Sequence, residues 1–434
     1  MWKAAAFVVS SLLLGGCVTG GSGAPKLTAD QIDQKVESGD VDMQTLDSIV
    51  DTYEAGGDVY GLEGLEAGYR PALTSDEAGI WMRMEKLESS FKTSGGRVLR
   101  SDINTYVKTV VCKLAGPFCG DIRIYIIDEP VPNASMAPNG MMLVHTGILL
   151  QFRNESQLSA VLGHEIGHYL RRHSLQRIRQ AVQIGDAATI FGMLTGGIGS
   201  MAAAIFTHGT LSAYSRDHER EADKFGALLL QRHGYSIRSA SGVWDQFIRI
   251  ENAKIDDDKE KYEGDEDVEV SKGGSFFSSH PGHKERRDTM RVLADRIQAG
   301  AGPYADGRKE YWAILKNYRL DLLEDEVNRN KPAQTLELLK ILAEDPESLG
   351  ELKYVEGEVY RRRRKDGDME KALARYQEAL KLDGYPAKLH RAMGTVLSRL
   401  DRPTEAKEAF QKYLEAAPDA PDNKLIRQMV NIGS

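Results

Sequence analysis

His164-Glu165-Ile166-Gly167-His168 places two imidazoles four residues apart with a carboxylate beside the first. On a helix of 3.6 residues per turn, positions 164 and 168 project from one face, so both rings can bind a single divalent cation. Glu165 then lies within reach of a water at that cation and can act as its general base. A catalytic zinc site needs a third protein ligand and one open position. Glu219-Arg220-Glu221-Ala222-Asp223 begins 51 residues after His168 in a helix-like stretch. Its spacing puts Glu219 and Asp223 on a common face, where one carboxylate can reach the metal and the other can orient a ligand histidine from behind. The spacing leaves open which of the two binds, and it points Glu221 elsewhere. His173 and His218 sit among charged neighbours and are expected at the surface.

Elements must hold these groups in place. Glu155 to about Arg179 is helix-patterned, with Asn154 as N-cap. Residues 121–128 and Met141, Met142, Leu143 and Val144 read as strands, the second following a Pro138-Asn139-Gly140 turn signal. Weak helical periodicity covers 30–115, including 80–91 and 103–114. Residues 187–207 carry no charged side chain, but glycines at 192, 196, 197 and 199 divide the run; a helical hairpin is expected rather than a membrane span. The polar, acidic segment 253–275 reads as a solvated loop. Beyond 305 the pattern is helical and repetitive. Ala372, Tyr376 and Ala379 recur 34 residues later as Ala406, Phe410 and Tyr413, the tetratricopeptide period.

The 434 residues exceed what one core normally organises, and 41% hydrophobic with 28% charged residues predicts a folded chain. Fifty-six Lys and Arg against 64 Asp and Glu give a net charge of −8, which offers nucleic acid no broad attraction. Lys3, the uncharged run 4–14 and Leu14-Gly15-Gly16-Cys17 resemble a bacterial lipoprotein signal, with Cys17 as the lipidated residue and membrane anchor. Val18 after that cysteine favours the outer membrane by the same resemblance. In that compartment Cys112 and Cys119 are expected to form a local disulfide.

The string Asn133-Ala134-Ser135-Met136-Ala137-Pro138-Asn139-Gly140, the strand 141–144, Gly147-Ile148-Leu149, the His164–His168 pentad and Ser215-Arg216 before the carboxylate segment together resemble the zinc peptidases of the HtpX, Oma and CAAX-prenyl-protease type. The lipobox and C-terminal repeats bring the resemblance nearest to the periplasmic BepA-like branch. The resemblance implies Glu219 as third zinc ligand, with Asp223 behind a ligand histidine. It also implies an α+β, gluzincin-like peptidase domain with an active-site helix and small sheet, followed by an all-α tetratricopeptide-repeat domain. The expected divisions are signal peptide 1–16, linker 17–29, helical lead-in 30–79, peptidase 80–304 and repeats 305–434.

One Zn2+ per chain is expected, with Glu165 moving the proton during peptide hydrolysis. An extended substrate would pair with 141–144, read as an edge strand. His280, in a Ser278-Ser279-His280-Pro281 segment that is followed by Arg286 and fits the resemblance, would serve either as a reversible latch on the open zinc position or as a structural loop residue. The expected substrates are unfolded or misassembled envelope proteins, with the repeats recruiting substrate or outer-membrane assembly machinery. The alternative is a chaperone or scaffold with a mostly latched protease site.

Overall fold

The computed structural model describes residues 65–93, 96–183, 215–261, 282–298 and 303–432, all within one compact unit. The expected anchor Cys17, the lead-in before Leu65, the apolar run 187–207 and His280 lie outside the described residues. No helix among the described residues is long and apolar enough to cross a membrane.

Helix α1 (Asp76–Thr93) precedes α2 (Ser101–Ala115) and a 3-10 turn (Gly116–Gly120). The Ser75 hydroxyl caps α1 by accepting from the Ala78 amide at 3.2 Å, so α1 runs uninterrupted through the expected boundary at 79. Cys112 and Cys119 are joined, tying the end of α2 to the turn with Cα atoms 4.6 Å apart. Strands β1 (Arg123–Ile127), β2 (Ala134–Met136) and β3 (Met141–His145) form one sheet in the order β1-β3-β2. β1 runs parallel to β3 with Arg123 opposite Met141, and β2 runs antiparallel with Met136 opposite Met142.

The sheet corrects one expectation. Met141, Met142, Leu143 and Val144 form the central strand, hydrogen-bonded on both sides and buried at every position. They cannot accept a substrate strand. Met141 and Leu143 pack with Met84 and Leu87 of α1, while Met142 and Val144 enter the main core on the opposite face. A continuous apolar run without alternation is what a strand covered on both faces requires. β2, three residues long and too short to show a strand period in the sequence, forms the edge next to the helix carrying His164.

After the short α3 (Thr146–Leu149) come α4 (Glu155–Leu170) and α5 (His173–Gln183). Asn154 caps α4 as expected, accepting from the Gln157 amide at 2.9 Å. The single helix expected to about Arg179 instead breaks after Leu170, where Arg172 takes φ +59. Next are α6 (Arg216–Arg232), α7 (Ile237–Lys261) and α8 (His283–Ile297). α7 extends through 253–261, so the first part of the segment expected to be loop is helix.

The remaining helices are α9 (Arg308–Leu315), α10 (Arg319–Asn328), α11 (Pro332–Leu342), α12 (Leu349–Arg363), α13 (Asp368–Ala379), α14 (Lys388–Arg399), α15 (Pro403–Ala416) and α16 (Asn423–Ile432). α12 packs on α13 and α14 on α15. Both pairs close in the same way, with Gly357 against the Tyr376 ring and Gly394 against Phe410; a Cβ at either glycine would fall within 2.6 Å of the ring. No gap separates these helices from the preceding part. One hydrophobic core continues from Leu65 to Ile426, and Arg153 at the start of α4 pairs with Glu344 and Asp345 after α11.

Candidate metal centre

Backbone proximity builds the site. Gly163 and Gly167 on α4 face Gly226 and Ala222 on α6, and a Cβ at Gly167 would lie 3.1 Å from both the Cα and the carbonyl oxygen of Ala222. With no side chain between them the helices meet closely enough for short carboxylates on α6 to reach imidazoles on α4.

The Nε2 atoms of His164 and His168 face each other at 2.9 Å. The Glu219 carboxylate completes the group, Oε2 lying 3.5 Å from His164 Nε2 and Oε1 3.4 Å from His168 Nε2. One ligand atom from each residue falls within 4.8 Å of the others, and all three residues are buried. Among the described residues this is the one such cluster. Two nitrogens and a carboxylate oxygen converging in a buried site fit zinc, whose catalytic form takes three protein ligands and leaves a position open. Glu165, the residue after the first histidine, is 1% exposed.

The outer nitrogens are also engaged. His164 Nδ1 lies 2.9 Å from Asp223 Oδ1, the placement expected of a carboxylate that orients a ligand ring. Arg286 of α8 donates from Nε to Asp223 Oδ2 at 2.8 Å and from Nη2 to Oδ1 at 2.7 Å, while Nη1 lies 3.2 Å from Glu219 Oε2. Its guanidinium also lies over the Trp244 ring, 5.0 Å from the centroid. Burial opposes the Arg286 charge, but Asp223 and Glu219 outweigh it and hold the group above its ordinary value. Burial pushes the Asp223 carboxyl upward, and Arg286 opposes that shift. The sequence motif contains Arg286 without revealing its role, because its partners lie on another helix.

His173 requires a correction. It is 1% exposed, with Nδ1 2.9 Å from His168 Nδ1 and Nε2 3.0 Å from Glu221 Oε2. The reversal at Arg172 turns it inward; its charged sequence neighbours made it look like a surface residue. The His173 hydrogen bond, with help from Arg171, holds Glu221 down to about 2. Glu221 does point away from the Glu219 side, as its helical position predicts. His218, partly exposed, stacks on the His173 ring at 4.2 Å.

The comparisons agree with this geometry. Residues 99–294 match the model of Peptidase family M48. The mitochondrial metalloendopeptidase OMA1 of Schizosaccharomyces pombe is 25% identical over 197 residues, 45% of this chain and 53% of that protein. The metalloprotease YcaL of Escherichia coli is 28% identical over 182 residues, 41% of this chain and 62% of its own. The beta-barrel assembly-enhancing protease of Yersinia pestis is 25% identical over 248 residues, 54% of this chain and 47% of its own. The chain thus covers less than two thirds of the length of each of these relatives. With His164, His168 and Glu219 converging inside the matched segment, this chain carries a peptidase family M48 domain over residues 99–294.

Proposed function

We propose that the chain is a zinc-dependent endopeptidase of the bacterial envelope, acting on misfolded or misassembled envelope and outer-membrane proteins. The convergence of His164, His168 and Glu219 next to Glu165 carries this reading. His164 Nε2, His168 Nε2 and a Glu219 oxygen would hold zinc, which when bound supplies Lewis-acid polarisation of the peptide carbonyl and acidifies the attacking water. Glu165 takes that water's proton and returns it to the leaving amine. Asp223 and Arg286 keep His164 in orientation.

With β3 paired on both sides, the extended substrate adds to the outer edge of β2, beside α4. Main-chain pairing depends little on side chains and suits unfolded segments. The paired helices after 305 serve as tetratricopeptide-type repeats that recruit substrate or an assembly partner, and acylated Cys17 anchors the chain to the outer membrane. His280 keeps the two roles its motif allows, a latch on the open zinc position or a structural loop residue. The relatives' names, metalloendopeptidase, metalloprotease and beta-barrel assembly-enhancing protease, support the protease reading.

Digestion of casein by the full chain, with chelator and after zinc is restored, tests the proposal. Cleavage should disappear and return, and Glu165→Gln should bind zinc yet cleave at least ~100-fold more slowly. Full cellular function in that variant would favour the scaffold alternative instead.

A further inference from the structure

The inner nitrogens of His164 and His168 face the metal position, so each ring must present its other nitrogen to the protein. For His164 that partner is Asp223, which Arg286 holds in turn. For His168 it is a second histidine. We infer that His173 and Glu221 form a positioning relay that fixes the tautomer and angle of His168 and so sets the affinity of the site for zinc. The inference rests on the metal reading above and concerns residues outside the ligand set.

Proton placement follows from the geometry. If His168 coordinates through Nε2, its proton resides on Nδ1, which donates to His173 Nδ1 at 2.9 Å. His173 must then carry its own proton on Nε2, and that group donates to Glu221 Oε2 at 3.0 Å. Each donor meets an acceptor along the line from Glu221 through His173 to His168. His173 is not itself a ligand, because its Nδ1 faces the outer nitrogen of His168. A carboxylate at the far end of such a chain makes the ligand nitrogen a better donor to the metal and restricts the ring to one orientation.

Several local features serve this arrangement. Arg172 adopts φ +59, a conformation costly for a non-glycine residue, and thereby reverses the chain between His168 and His173. Its side chain is retained by Glu77 and lies over the Tyr69 ring at 5.3 Å. His218 covers the His173 ring with planes 19° apart, and its Nε2 lies 3.1 Å from Gln176 Oε1. Arg171 holds Glu221 from the solvent side. Both α5 and α6 therefore contribute to the orientation of one imidazole on α4.

The test is zinc affinity of the purified full chain, stripped of metal and titrated with zinc against a competing chelator. His173→Phe should weaken zinc binding about 10- to 100-fold. His173→Asn, whose amide oxygen can accept the His168 proton, should recover most of the loss. Glu221→Gln keeps an acceptor but loses the charge, and should give a smaller weakening than His173→Phe. Wild-type affinity in His173→Phe, or equal losses in His173→Phe and His173→Asn, would overturn the relay. Glu221 is 39% exposed, so its substitution tests the relay even where the His173 variants do not fold; unchanged affinity there would refute it. Absence of zinc binding in the wild type would instead defeat the metal reading itself.

Discussion

Gly167 on α4 lies against Ala222 on α6 with no side chain between them, and this contact sets the reach of Glu219 to the two imidazoles. Gly167→Val should wedge the helices apart. The expected loss is about 1–3 kcal/mol of stability, typical of overpacking, with zinc content falling well below one per chain. Gly79→Ala on α1, where no atom lies within 4 Å of the new Cβ, serves as the comparison and should leave zinc content unchanged. Metal analysis after gel filtration and denaturant unfolding would measure both effects.

Arg286 compensates two buried carboxylates at once. Arg286→Met should remove the guanidinium that Asp223 and Glu219 share, at a cost of about 3–5 kcal/mol in the metal-free protein. Zinc should restore part of that loss by taking up the Glu219 charge. Unfolding of the variant with and without zinc checks this, and equal destabilisation in both states would contradict it.

Glu88 joins α1 to the sheet, accepting from Arg123 Nε and Nη2 at 2.7 and 2.8 Å and from the Tyr125 hydroxyl at 2.7 Å. Burial pushes its carboxyl up, but the bonds from Arg123 and Tyr125 prevail and hold it down to about 2, from 4.5. The unfolded chain therefore takes up this proton first as pH falls. The stabilisation is full above about pH 4.5 and declines as pH drops through about 2. Glu88→Gln should cost about 2 kcal/mol at pH 7, and the difference from wild type should shrink across that window. Urea unfolding at a series of pH values would show it.

The Cys112–Cys119 link closes a short loop at the end of α2. Replacing both cysteines by serine should lower stability by about 2 kcal/mol, through the added freedom of the unfolded chain. A reductant should lower the thermal midpoint of the wild type and leave that of the double variant unchanged.

Local periodicity in the amino-acid order determines much of this protein. The His164–His168 pair, the common face of Glu219 and Asp223, the cap at Asn154 and the 34-residue recurrence each depend on spacing along the chain, and helical geometry turns such spacing directly into direction. The family resemblance, not the spacing, nominated Glu219 over Asp223 as the third ligand. Strand position and contacts between helices depend on partners distant in sequence. For that reason the central place of Met141 to Val144, the turn at Arg172 that brings His173 to His168, and the grip of Arg286 on Asp223 emerge only in the tertiary structure. A charged neighbourhood around His173 describes its sequence surroundings; burial is decided by which helices pack across it.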